Sequence, residues 1–279
     1  YTLDDIDNML KNDEIGIFNH YQIKKMIKLL RQEEDILEKL NQRNSLFVHE
    51  TCAFIQHANY TDDELLSYID MTNYAFEFHN HETLAHTVTT AIIAKELAKL
   101  SRLSESQIQC IYLAALVHDI GKIRIPVSIL CCPSRLEGEA LKEMQNHVVY
   151  TKEILEGSFS YKIVEIAANH HEKLDGSGYP RGLMAIDLSI GDKIIAVSDI
   201  ASALYCKRSY KKSLSEDEII SILEKDAKNN KIDQRIVNHF VDNFDSIMAL
   251  AKEKEEHVLK IYEDMKEEFE VLSTSSQLK

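Results

Sequence analysis

The stretch Ile108-Gln109-Cys110-Ile111-Tyr112-Leu113-Ala114-Ala115-Leu116-Val117-His118-Asp119-Ile120-Gly121-Lys122 sets the reading of the whole chain. Ile108, Ile111, Tyr112, Ala115 and Leu116 recur at the spacing of one face of an α-helix. The apolar stripe stops at His118–Asp119. Adjacent side chains cannot share one face of a regular helix, so this pair is expected where the helix ends. Gly121, just beyond, agrees, because glycine is favoured past a helix terminus. An imidazole and a carboxylate placed there are candidate ligands for a first-row transition metal.

The same residue types recur outward from this point. Upstream, Glu82 and His86 are four residues apart, on one face of a helix expected over 81–100 with Asn80 as its N-cap. Downstream, a helix over 136–155 carries His147, and a helix over 163–171 ends at His170–His171. An apolar helix over 190–204 carries Asp199. Burying an unpaired carboxylate is costly, so Asp199 is expected to be paired or bound to metal. Eight such groups exceed the needs of one metal, so a site with two or three is implied, in which Asp119 is suited to bridge.

Any single histidine is more often a surface or satisfied core residue; the constellation is what argues. His79 and His81 are weaker alternative ligands beside Glu82, and His20, His49, His57, His239 and His257 read as structural or surface. The loop Asp175-Gly176-Ser177-Gly178-Tyr179-Pro180 follows the double histidine, and three of the eight glycines (Gly176, Gly178, Gly182) cluster there. The chemistry indicated is metal-assisted hydrolysis of a phosphate ester.

Composition bounds the rest. The 279 residues, 44% of them hydrophobic, suffice for a substantial core. No Gly or Pro falls between Ile17 and Ile120 or after Gly191, which argues for a mostly α protein. Further helices are expected over 215–226, 234–244 and 246–270, and, in the first 79 residues, over 2–12, 19–43, 45–58 and 62–77. The segment 19–43 suits a coiled coil or a signalling linker, its repeat being too short to choose. The formal net charge of −14 argues against DNA binding. The basic run Lys207, Arg208, Lys211, Lys212 reads as a solvated helix end or, following Asp199, as a phosphate grip.

Five cysteines without a CxxC pair suit a reducing, cytoplasmic setting, and no apolar run is long enough to span a membrane. A first residue of Tyr1 rather than Met suggests a piece of a longer protein.

His118-Asp119-Ile120-Gly121-Lys122 and His170-His171-Glu172-Lys173-Leu174-Asp175-Gly176-Ser177-Gly178-Tyr179-Pro180 resemble the HD-GYP family, bacterial phosphodiesterases of the HD superfamily that hydrolyse cyclic di-GMP. Ile125-Pro126, Ser128-Ile129-Leu130, Arg181-Gly182-Leu183, Arg208 and Tyr210 add to the match, which covers roughly 80–245. The resemblance implies an all-α helical bundle, with 1–79 as an additional linker, dimerisation or regulatory segment and 80–279 as the catalytic domain. It implies two or three divalent metals, iron or else manganese, held by His86, His118, Asp119, His147, His170, His171 and Asp199. Glu82 matches a further carboxylate found in members with three metals.

Lys122, Tyr179, Arg208 and Lys211 match positions that contact substrate phosphates or shape the pocket. The chain departs from the family at Val127 and Ser202, where Asp is usual, and at Ser209, where Pro is usual. Ser202 shares a helix face with Asp199, so support for the ligands is expected to be weaker there.

The mechanism these readings imply is attack by a metal-activated hydroxide on phosphorus, with Asp119 and Lys122 as the catalytic pair, giving linear pGpG and then GMP. The alternatives are hydrolysis of another cyclic dinucleotide, 3′,3′-cyclic GMP-AMP, or a weakly catalytic receptor for cyclic di-GMP. A homodimer through helices and a protein partner at Gly178-Tyr179-Pro180 complete the expectations.

Overall fold

The computed structural model describes residues 81–130, 132, 134–206 and 214–275. All of them fall in the unit Leu65–Lys279; the expected boundary at 79/80 lies outside them. Among the described residues the regular elements are all helices, joined by turns and loops, with a single isolated bridge between Asp175 and Met184. The helices are α1 (His81–Leu100), α2 (Glu105–Val117), a 3-10 helix (Ile120–Arg124), α3 (Val127–Leu130), α4 (Gly138–Gln145), α5 (His147–Leu155), α6 (Tyr161–Ala168), α7 (Ile190–Cys206), α8 (Glu216–Lys228), α9 (Gln234–Asp242) and α10 (Phe244–Ser275).

Helix α1 is the organiser, packing against α2, α7 and α10. Its Ile93, Ala94, Leu97 and Ala98 are buried, so it lacks the single wet face of a surface helix. Helix α7 is similarly enclosed, with Ile194, Ile195, Val197 and Ala201 buried. Asp199 and Ser202 are polar exceptions on this helix, and Ser202 meets His86 of α1. Phe240 of α9 and Leu223 of α8 close the same core.

Helix ends follow their capping chemistry. The Glu218 carboxylate accepts from the Ser215 N–H at 2.6 Å while Ser215 Oγ accepts from the Glu218 N–H at 3.3 Å, a reciprocal cap that starts α8. Asp233 accepts from the N–H groups of Arg235 and Ile236 and starts α9.

Three expectations are corrected. The helix expected over 136–155 is two, α4 and α5, divided at Asn146, so His147 opens a helix rather than riding inside one. The helix expected over 163–171 ends at Ala168, which places His170 and His171 beyond it. Gly121 lies within the 3-10 helix and does not terminate α2, whose C-cap is His118. What Gly121 satisfies is space: a Cβ there would lie 2.0 Å from the His147 carbonyl oxygen and 2.4 Å from the Thr151 nitrogen. Among the described residues, no helix is long and apolar enough to cross a membrane.

Candidate metal centre

Seven of the side chains singled out in the sequence converge. His86 comes from α1, His118 from the end of α2, and Asp119 from the turn into the 3-10 helix. His147 opens α5, His170 and His171 follow α6, and Asp199 comes from α7. Two groups form: in each, His86 with His118 and Asp119, or His147 with His170 and His171, one donor atom per residue lies within 4.8 Å of the others.

The aspartates link the groups. Asp119 Oδ2 lies 3.2 Å from His118 Nε2, and its Oδ1 lies 3.4 Å from His147 Nε2. Asp199 Oδ1 lies 3.1 Å from His86 Nε2, and its Oδ2 lies 3.6 Å from His171 Nδ1. Each carboxylate therefore turns one oxygen to each histidine group.

Backbone carbonyls orient three of the rings. Nδ1 of His118, His147 and His170 lies 2.7, 2.6 and 2.7 Å from the carbonyl oxygens of Ala115, Met144 and Ala167, each three residues earlier. A carbonyl only accepts, so Nδ1 carries the proton and Nε2 keeps its lone pair. Thr151 ties the pieces together: its hydroxyl donates to the His118 carbonyl oxygen at 2.9 Å and accepts from the Gly121 N–H at 3.0 Å.

Charge states follow from burial and neighbours. Burial opposes a charge on Asp119, but the Lys122 ammonium and the His118 and His147 rings outweigh it and hold its carboxyl well below the usual range. Burial also opposes ionisation of Asp199, which the His86 hydrogen bond and the neighbouring His171 bring well below that range. Burial lowers His147, puts His170 well below an ordinary imidazole, and takes His171 down to about 4. Ionised carboxylates and neutral imidazoles are the states that ligate metals.

The donor set fits a metal on a further observation. His118 Nε2 and Asp119 Oδ1 are buried and without a hydrogen-bond partner among the described residues. Orphaned buried polar atoms are rare and call for an explanation. A cation coordinated by both supplies one.

The loop after the double histidine leans on the site. The Tyr179 ring packs on His171, their centroids 4.8 Å apart. Burial and the Asp199 and Asp119 carboxylates raise the Tyr179 phenol above its ordinary value. The buried Glu172 accepts from the N–H groups of Arg181 and Leu183 at 2.7 and 2.8 Å, fastening both sides of the turn. Gly178 is demanded by proximity, since a Cβ there would lie 2.4 Å from the Lys173 nitrogen. Lys122 Nζ lies 2.5 Å from Asp119 Oδ2.

Arg208, Lys211 and the side chain of Glu82 lie outside the described residues, as do Ser209, His79 and the side chain of His81. Two contributors carry no signal of their own in the sequence, and a third was expected there as the weaker support. Thr151 is four residues after His147 and shares its helix face. Glu172 adjoins the double histidine, and Ser202, from which weaker support was expected, lies 3.0 Å from His86 Nδ1.

The model of the HD domain family matches residues 24–236, more than half of the chain. The chain belongs to the HD-domain family. Within it, the sequence resembles proteins consistent with the HD-GYP group. A Vibrio cholerae protein named 3′3′-cGAMP-specific phosphodiesterase 2 is 38% identical over 179 residues, covering 63% of this HD-domain chain and 34% of that protein. A Thermotoga maritima cyclic di-GMP phosphodiesterase is 36% identical over 166 residues, 58% of this chain and 45% of that protein. The chain thus spans between a third and a half of these relatives. Among solved structures, the HD domain of the L. monocytogenes phosphodiesterase PgpH aligns with a TM-score of 0.47 and 18% identity, over 64% of this chain and 96% of that one.

Proposed function

We propose that this chain is a metal-dependent phosphodiesterase that hydrolyses cyclic di-GMP to linear pGpG and onward to GMP. The observation that carries the reading is the pair of histidine groups joined by two ionised aspartates, with Lys122 at their edge. His86, His118, Asp119, His147, His170, His171 and Asp199 hold two divalent cations, iron or alternatively manganese. Glu82, one turn before His86, adds a carboxylate for a third. When bound, such cations polarise the phosphate and make hydroxide available near neutral pH.

The chain's own residues do the rest. Asp119 and Asp199 stay ionised and hold the two halves of the site at a fixed separation. Lys122 sits beside Asp119 Oδ2, where its ammonium can offset charge growing on the phosphate oxygens. The Tyr179 phenol, held above its ordinary value, is suited to donate a hydrogen bond to a substrate oxygen. Arg208 and Lys211 grip the second phosphate. Residues 1–79 form a regulatory segment able to pair with a second copy, and Gly178-Tyr179-Pro180 offers a docking point for a protein.

A second reading, 3′,3′-cyclic GMP-AMP as substrate, is favoured by the Vibrio cholerae relative named for that molecule. A receptor without turnover is disfavoured by the complete donor set. Both cyclic dinucleotides are to be offered to anaerobically purified protein, with products separated by chromatography and metal counted per chain. The expected result is pGpG and two or three cations. Asp119→Ala is expected to lose both metal and turnover; full retention of both would overturn the proposal.

A further inference from the structure

His86 is held differently from His118, His147 and His170. Its Nδ1 faces no backbone carbonyl; it faces the Ser202 hydroxyl, 3.0 Å away. The same hydroxyl also lies 3.0 Å from the carbonyl oxygen of His86 itself, to which it can donate. Ser202 is buried, and its other polar neighbour, the Cys206 sulfur, lies 3.9 Å off and is a weak partner. One hydroxyl proton thus has two acceptors, and the choice between them dictates the state of the ring.

In the first arrangement the Ser202 proton goes to the His86 carbonyl. Ser202 Oγ then accepts Nδ1–H, and Nε2 presents a lone pair toward the cluster. In the second, the Ser202 proton goes to Nδ1, and Nε2–H donates to Asp199 Oδ1, 3.1 Å away. The heavy atoms occupy the same positions in both. No proton is gained or lost: the imidazole releases one at Nε2 and takes one at Nδ1 while the hydroxyl rotates. His118, His147 and His170 have no such choice, because a carbonyl that can only accept fixes each at Nδ1–H.

We infer that Ser202 is a positioning residue that lets His86 alternate between a metal-ligating tautomer and one hydrogen-bonded to Asp199, making His86 the exchangeable ligand of the cluster. This rests on reading the cluster as a metal centre. A carboxylate at the same place could only accept, and would lock Nδ1–H. An alanine would serve neither tautomer.

The test is nitrogen NMR of the full chain labelled at histidine, first stripped with a chelator and then loaded with Zn²⁺. The wild type is expected to show His86 as Nε2–H when stripped and as Nδ1–H when loaded. His118, His147 and His170 are expected at Nδ1–H throughout. Zinc bound with His86 at Nδ1–H in both conditions overturns the inference and leaves the metal centre standing. A chain that binds no zinc removes both.

Release of zinc to a chelator gives the second readout. Ser202→Asp is expected to slow loss of one zinc per chain by about tenfold and Ser202→Ala to speed it by a similar factor, the scale of indirect ligand support. Wild-type release from both variants overturns the assignment of Ser202. The NMR experiment needs no variant, so it decides even where a substitution prevents folding.

Discussion

Gly121→Ala tests whether the cluster depends on the close approach of the 3-10 helix to α5. The added Cβ would lie 2.0 Å from the His147 carbonyl oxygen and 2.4 Å from the Thr151 nitrogen, both backbone atoms that no rotamer change can move aside. Ordinary contact begins near 3.4 Å, so the turn must back away by more than an ångström. Overpacking of this kind costs about 1–3 kcal/mol. Lengthening the buried bond from the Gly121 N–H to Thr151 Oγ1, 3.0 Å in the native chain, adds about 1 kcal/mol. The reduced freedom of the unfolded alanine chain returns roughly 0.4–1 kcal/mol.

The net loss is then about 2 kcal/mol, or a fall in Tm of roughly 4–8 °C for a domain of this size. The same displacement carries Asp119, two residues earlier, away from His147, from which it is 3.4 Å distant. Calorimetry and metal analysis on one preparation read both effects. A variant that melts with the wild type and carries its full metal complement would refute the steric argument and the linkage to Asp119 together.

Further outcomes follow from the same geometry. Lys122→Met is expected to retain metal and lose about 10²–10³ in turnover, the scale of one charge-stabilising donor; loss of metal would instead make Lys122 a structural residue. Glu172→Gln presents an amide N–H₂ to one of two backbone donors and is expected to cost about 2 kcal/mol in urea unfolding while raising KM; an unchanged KM would mean the loop does not contact substrate.

Acid should weaken the metal-free chain. His171 is lowered to about 4, so the unfolded chain takes the proton first as pH falls below 6.5. Its contribution is complete above that value and lost toward about 4, with about 2 kcal/mol of it gone by pH 5 by linkage. His147 and His170 act in the same direction, while Asp119 and Asp199 lose theirs only at still lower pH. Equal denaturant midpoints near pH 7 and pH 5, with chelator present, would contradict this.

Helix α1 was legible because its buried apolar positions recur at helical spacing from Leu84 to Leu97, and it ends at Leu100 as expected. Periodicity failed at Asn146, where flanking residues with good helical spacing hide a break. The 3-10 helix at Ile120–Arg124 and the four-residue α3 are too short to produce a period at all.

The donor residues were legible as types at particular places, and most of the cluster was assembled from them. Its support was less so. Thr151 acts through two contacts to residues about thirty positions away, and Ser202 through contacts 116 positions away, neither of which leaves a local pattern. Gly121 serves a need for space and not a helix terminus, and a need for space has no signature in one sequence.

His118, His147 and His170 each take their orientation from a peptide oxygen one turn back on their own segment. Their aim is thereby written into short runs of backbone and owes nothing to whatever occupies the space between them. A cation entering such a site would meet three rings already held by their own backbone.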